Sequence, residues 1–137
     1  MTENPVFVDT GAWIALAVTR DPHHPEALSI WQQLTRAGTR LVTSVPVVME
    51  TFTFLERNTR RDVALAWKDS LRDVKRLRLA ECSKKDLEAS WAYFRRRDLH
   101  KLSAVDATSF VIMSRLDVRR AFTFDHHFIM AGFLPAV

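Results

Sequence analysis

Residues 6–13, VFVDTGAW, set an anion at the end of a segment that reads as buried. Val6, Phe7 and Val8 are apolar, two of them β-branched, which is the composition of a short strand hidden on both faces. Asp9 follows at once, and a carboxylate there must either cap the next helix or serve a purpose of its own. The residues from about 12 to 19 are mostly apolar and favour a helix, so the stretch reads as strand, acid, helix.

The same alternation continues along the chain. DPHHP (21–25) breaks the first helix; Pro25 then suits a first helical position, and Leu28, Trp31 and Leu34 recur at helical spacing until Gly38 offers a stop. RLVTS (40–44) reads as a second strand. A helix over about 44–56 tolerates Pro46 in its first turn and gathers Val45, Val48, Met49, Phe52 and Leu55 on one broad face. Another covers about 61–73, with Val63, Leu65, Ala66, Trp67 and Leu71 as its apolar bulk. RLRLAEC (76–82) alternates like a strand. Ser83 with Asp86 opens a helix through Phe94, and Ser103 with Asp106 repeats that cap-like pattern for a helix to about Leu116. RRAFTF (119–124) is a fourth strand, DHHFIMAG (125–132) a short helix, and FLPAV (133–137) an edge strand. Strands separated by helices predict an α/β fold with a central parallel sheet covered on both faces.

Length and composition agree with one domain over residues 1–137: the chain can bury a real core but is too short for two ordinary domains. Hydrophobic residues make up 47% and charged residues 26%, a globular balance. Apolar runs are short and broken by charge, so no membrane span is expected, and MTENPVF lacks the layout of a secretory signal; the expectation is a soluble cytoplasmic protein. Cys82 is the single cysteine, which excludes an intrachain disulfide and a cysteine-rich zinc site and leaves it as a small buried filler. A net charge of +4 suits a polyanionic partner.

In open parallel sheets the functional crevice lies beyond the carboxyl ends of the strands, where Asp9 and Asp125 both fall. Each could simply cap a helix, a role worth about 1 kcal/mol. Asp106 shares that ambiguity, and Asp86 in the same Ser-x-x-Asp pattern serves as an internal control. Glu50 lies mid-helix among Val47, Val48, Met49, Phe52 and Phe54, where capping cannot be its reason. If the four acids converge, each close pair repels by roughly 4 kcal/mol at about 4 Å and an effective dielectric near 20. Such a cluster needs a cation or must take up protons. Oxygen ligands without cysteine suit Mg2+ or Mn2+, ions that can activate water for attack on phosphorus.

VFVDTGAW, the helical VVME around Glu50, LSAVDA around Asp106 and FTFDHHF around Asp125 together resemble the four acidic motifs of PIN-domain nucleases, in their usual order. The likeness spans nearly the whole chain and is strongest to VapC-type ribonuclease toxins of toxin–antitoxin pairs. It implies a three-layer α/β/α sandwich, a metal-binding site made by Asp9, Glu50, Asp106 and Asp125, and a supporting hydroxyl at Thr123. Thr10 matches the hydroxyl residue that often follows the first aspartate. Gly11 departs from the pattern, where the family commonly has a second small hydroxyl residue. The resemblance further implies a homodimer held inactive by a cognate antitoxin, for which the helices from Val45 to Trp67 could supply an apolar groove.

Arg95, Arg96 and Arg97, with His100 and Lys101, form the densest basic patch and could hold RNA phosphates; the alternative is a solvated helix end. His126 and His127, like His23 and His24, invite a zinc reading, but adjacent histidines diverge and no third nitrogen ligand is suitably spaced. Trp13, Trp31, Trp67 and Trp91 are expected in core or interface packing. The reading that follows is an Mg2+- or Mn2+-dependent endoribonuclease acting on an RNA substrate. Its alternative is a PIN-like scaffold that binds RNA or protein without cutting. A phosphatase with Asp9 as nucleophile is a third reading, but that chemistry wants an acid at position 11, where the chain has glycine.

Overall fold

The computed structural model describes residues 4–137; the first three residues of the MTENPVF segment lie outside them. In chain order the elements are β1 (Val6–Val8), α1 (Thr10–Ala17), α2 (His24–Ala37), β2 (Leu41–Ser44), α3 (Val45–Asn58), α4 (Arg61–Ser70), β3 (Leu77–Ala80), α5 (Lys84–Ser90), α6 (Ala104–Arg115), β4 (Arg120–Phe122), α7 (His127–Met130) and β5 (Leu134–Pro135). The five strands form one sheet in the order β3-β2-β1-β4-β5, and every pairing is parallel. Val6 faces both Leu41 and Arg120 in register, which fixes β1 as the central strand.

The path of the chain explains where a site can form. From β1 it steps outward to β2 and β3, then returns across the sheet to β4 on the other side of β1. Right-handed crossovers therefore carry α1–α4 over one face and α5–α7 over the other, and the helices of each group pack on one another. The reversal of direction between β1 and β4 opens a crevice at their carboxyl ends, the place where ligands bind in doubly wound sheets.

Local chemistry sets the boundaries. α1 begins two residues earlier than the apolar pattern suggests, because the Asp9 carbonyl already accepts from the N–H groups of Ala12 and Trp13 at 3.1 Å. Gly38 ends α2 at φ 69°, and Ser44 caps α3 by accepting from the Val47 N–H at 3.2 Å. The helix expected over 61–73 tightens to a 3-10 turn at Leu71–Asp73, and the one opened by Ser83 does the same at Trp91–Arg95.

Val6, Phe7 and Val8 are fully buried, as their composition requires of a central strand. Phe110 on α6 packs edge-on against Phe128 and Tyr93 and is itself wholly buried. On the opposite face Trp13 meets Trp31 and Trp67, and its indole N–H donates to Thr43 Oγ1 at 3.1 Å while that hydroxyl donates to the Val8 carbonyl. Trp91 departs from the expected core role and is 43% exposed, since the 3-10 turn that carries it lies at the surface. Cys82 is only half-buried and packs against the rim of the core, because it lies two residues beyond β3 at the edge of the sheet. Among the described residues no helix is long and apolar enough to cross a membrane.

Candidate active site

Asp9 stands at the carboxyl end of β1 and is 4% exposed. It occupies the cap position of α1, yet its carboxylate makes no capping hydrogen bond. Instead Oδ2 accepts from Thr123 Oγ1 at 3.0 Å, and Oδ1 is buried with no hydrogen-bond partner. The adjacent Thr10 hydroxyl is buried and unpartnered as well. Burial raises the Asp9 pKa to about 7; the Thr10 N–H and the Thr123 hydroxyl work against this, and Glu50 and Asp125 add to it.

Asp106 and Asp86 share one local pattern and use it differently. Ser83 and Asp86 form a reciprocal capping box, and the Asp86 carboxylate also takes a two-pronged bond from Arg115 at 3.0 and 2.9 Å. Ser103 accepts from the Asp106 N–H at 3.0 Å, but the Asp106 carboxylate does not return the bond. It is buried and pointed at the other acids. Burial first, then Asp9 and Asp125, push its pKa up to about 8. A carboxylate at the start of a helix is ordinarily favoured by the dipole, so like-charge crowding and lost hydration outweigh that benefit here.

Asp125 follows β4 across a short turn. Its N–H donates to Thr123 Oγ1 at 3.0 Å, and its Oδ1 accepts from the His127 N–H at 2.9 Å. Part of the capping role is therefore real for this residue. Burial raises its pKa, but the His127 N–H, a bond shared with Asp106 and the His127 ring together hold it below the usual range. Glu50, half-buried on α3, lies within electrostatic reach of both Asp9 and Asp106. It borders an open apolar groove of about 540 Å³ with Met49, Phe54 and Val105.

The crevice thus brings together Asp9, Glu50, Asp106, Asp125 and Thr123, from β1, α3, α6 and the turn after β4. Asp106 and Asp125 offer ligand atoms close enough to share an ion, Asp9 and Glu50 lie within electrostatic reach of them, and this donor set fits a hard divalent cation, which would offset the crowding. Arg95, Arg96, Arg97 and Lys101 are exposed. Arg96 is engaged with Asp98 and with the Met130 carbonyl. His127 was not expected at the site: it is buried, and one ligand atom each of Asp106, Asp125 and His127 lie within 4.8 Å of one another. The doublet of histidines concealed it, since only acids, not further nitrogens, complete its surroundings. Gly11, where the chain departs from the PIN pattern, has no atom within 4 Å of the place its Cβ would occupy, so packing does not demand glycine there.

Comparison with known proteins agrees with this architecture. The PIN domain model matches residues 6–134. The 23S rRNA-specific endonuclease VapC20 of Mycobacterium tuberculosis, in strains CDC 1551 / Oshkosh and ATCC 25618 / H37Rv, is 33% identical over 129 residues, 94% of this chain and 95% of the relative. The crystal structure of M. tuberculosis VapC20, described as a Sarcin-Ricin loop cleaving toxin, superposes with a TM-score of 0.82 at 32% identity over 94% of this chain and 96% of the other. VapBC2 from Rickettsia felis, bound to a DNA fragment from its promoter, shares the fold alone, with a TM-score of 0.66 at 12% identity over 96% of each chain. The extent of the family match, the level of identity and the parallel sheet with its acidic crevice lead to one conclusion: the chain belongs to the PIN-domain family.

Proposed function

We propose that this protein is a divalent-metal-dependent endoribonuclease and the toxin of a toxin–antitoxin pair, with Asp9, Glu50, Asp106 and Asp125 holding Mg2+ or Mn2+. The observation that supports the reading is that four acids distant in sequence lie within electrostatic reach of one another, with Oδ1 of Asp9 buried and unpartnered. A binding scaffold gains nothing from that arrangement. When bound, the ion supplies Lewis acidity, lowering the pKa of water and offsetting charge on the phosphate oxygens. The protein's own part is to aim the carboxylates: Thr123 fixes Asp9 and the turn before Asp125, and Ser103 orients the first turn of α6 without engaging the Asp106 carboxylate.

The substrate is RNA, and the name of the M. tuberculosis relative makes a 23S rRNA stem-loop the first sequence to try. Arg95, Arg97 and Lys101 are exposed and make no ion pair among the described residues, which suits them to phosphate contacts. The apolar groove beside Glu50, with Met49 65% exposed, suits a cognate antitoxin segment, in keeping with the toxin–antitoxin relative. A homodimer belongs to the same reading.

The test is cleavage of a sarcin–ricin stem-loop and an unrelated single-stranded RNA with Mg2+, Mn2+ or EDTA, using the unaltered protein, Asp9→Asn and Asp106→Asn. Metal-dependent cutting that both substitutions abolish is expected. Cutting that survives chelation and both substitutions overturns the reading.

A further inference from the structure

His127 is the one ring that the fold drives among the acids. It is 8% exposed, whereas the side chain of its neighbour His126 is 76% exposed. His127 Nε2 lies 2.7 Å from the His100 carbonyl oxygen. A carbonyl only accepts, so this contact places a hydrogen on Nε2 and leaves Nδ1, which faces Asp125, as the ring atom open to a proton or a metal ion. Nδ1 is buried, has no hydrogen-bond partner, and sits 2.8 Å from Asp125 Oδ1 without hydrogen-bond geometry. Nδ1 and Oδ1 that close repel one another unless a positive centre, a ring proton or a metal ion, lies against both; a metal ion does so without needing hydrogen-bond geometry.

The spacing indicates which centre. Two atoms each about 2.1 Å from one octahedral ion, at right angles, are about 3.0 Å apart, close to the separation of Nδ1 and Oδ1. The third atom, from Asp106, completes a set within 4.8 Å. A ring whose other nitrogen donates to a backbone carbonyl also has the support that metal-bound histidines usually receive.

We propose that His127 Nδ1 is a nitrogen ligand of the divalent ion, beside Asp106 and Asp125, and that it biases the site toward Mn2+ over Mg2+. The inference rests on the metal-dependent reading above and goes beyond it. Mg2+ keeps to oxygen and water, whereas Mn2+, the first of the divalent transition series, accepts an imidazole more readily.

The experiment is electron spin-echo envelope modulation of Mn2+ bound to the full chain, with natural-abundance and 15N-labelled histidine, alongside calorimetric titration with Mn2+ and with Mg2+. Directly bound imidazole nitrogen is expected, switching from the 14N to the 15N pattern on labelling. This reading requires no substitution, so it holds even if His127→Asn folds poorly. The signal should persist in His126→Ala and vanish in His127→Asn, with Mn2+ affinity falling about tenfold and Mg2+ affinity falling less. Stoichiometric Mn2+ without coordinated histidine nitrogen, or a signal that follows His126, overturns this inference and leaves the nuclease reading intact. Failure to bind Mn2+ or Mg2+ at all overturns both.

Discussion

Thr123 donates a hydrogen bond to Asp9 across β4 and β1, Oγ1 to Oδ2 at 3.0 Å, linking residues 114 positions apart. The same oxygen accepts from the N–H of Asp125 at 3.0 Å. One hydroxyl therefore orients the first acid and the backbone of the last.

Thr123→Val keeps the shape and removes both bonds. Loss of an orienting partner costs metal sites about 10- to 100-fold, so RNA cleavage should fall by that order, with stability lowered by about 1–2 kcal/mol in urea. Thr123→Ser should retain most of both. Equal cleavage rates for the Val variant and the unaltered protein would remove Thr123 from the machinery.

Asp9 and Asp106 both have raised pKa values, about 7 and about 8. The folded protein then binds protons that the unfolded chain has released. Their contribution to stability is complete below the ordinary carboxylate pKa, near 4, and is lost as pH rises through about 7 and about 8. Melting of the chelated protein between about pH 5 and about pH 9 should show Tm falling, less steeply in Asp106→Asn. At the alkaline end that variant should melt higher than the unaltered protein while cleaving RNA on the order of 100-fold less. Added Mn2+ should recover Tm at high pH in the unaltered chain far more than in the variant.

Asp86 runs the other way. Burial acts to raise its pKa, but the Ser83 N–H and Arg115 outweigh this and hold it below the usual range. Its stabilising effect is present above the ordinary pKa of about 3.9 and is lost as pH falls through the lower folded value. Arg115→Met should cost about 1–3 kcal/mol at neutral pH, with the gap to the unaltered protein closing in strong acid and cleavage rates unchanged. A gap that persists at the lowest pH would assign the loss to packing.

Two glycines should respond oppositely to alanine. Gly11 lies in the first turn of α1 with open space around its missing Cβ and no positive φ, so Gly11→Ala should stabilise by about 0.5–1 kcal/mol. Gly38 has φ +69°, and Arg76 Nη1 lies only 3.0 Å from where a Cβ would project, so Gly38→Ala should destabilise by about 1–2 kcal/mol. Urea denaturation of the pair measures both signs.

Most of the architecture could be read from the residues, because the strands are short and the first four are each followed in the chain by a helix. The parallel pairing follows from that alternation, whereas the strand order, with β1 central, was not legible and comes from tertiary packing. What could not be read is the deployment of side chains with identical local codes. Ser83 with Asp86 and Ser103 with Asp106 look alike in sequence; only tertiary placement of Arg115 beside the first, and of other acids beside the second, separates an ion-paired aspartate from one crowded by like charge. His127 was missed for the same reason, since its companions come from α6 and from the His100 backbone. The helix ends at Ser70 and Ser90 went unforeseen because tightening to 3-10 turns reflects docking against the rest of the molecule, not local propensity.

The pairing of β1 with β4 has a bearing on the order in which the crevice can assemble. Asp9, Glu50 and Asp106 all precede in the chain the strand that delivers Thr123 and Asp125, which docks beside the middle of the sheet. A nascent chain short of that strand holds three of the four acids without the hydroxyl that aims the first or the scaffold that gathers them. The crevice is therefore completed only when β4 docks against β1.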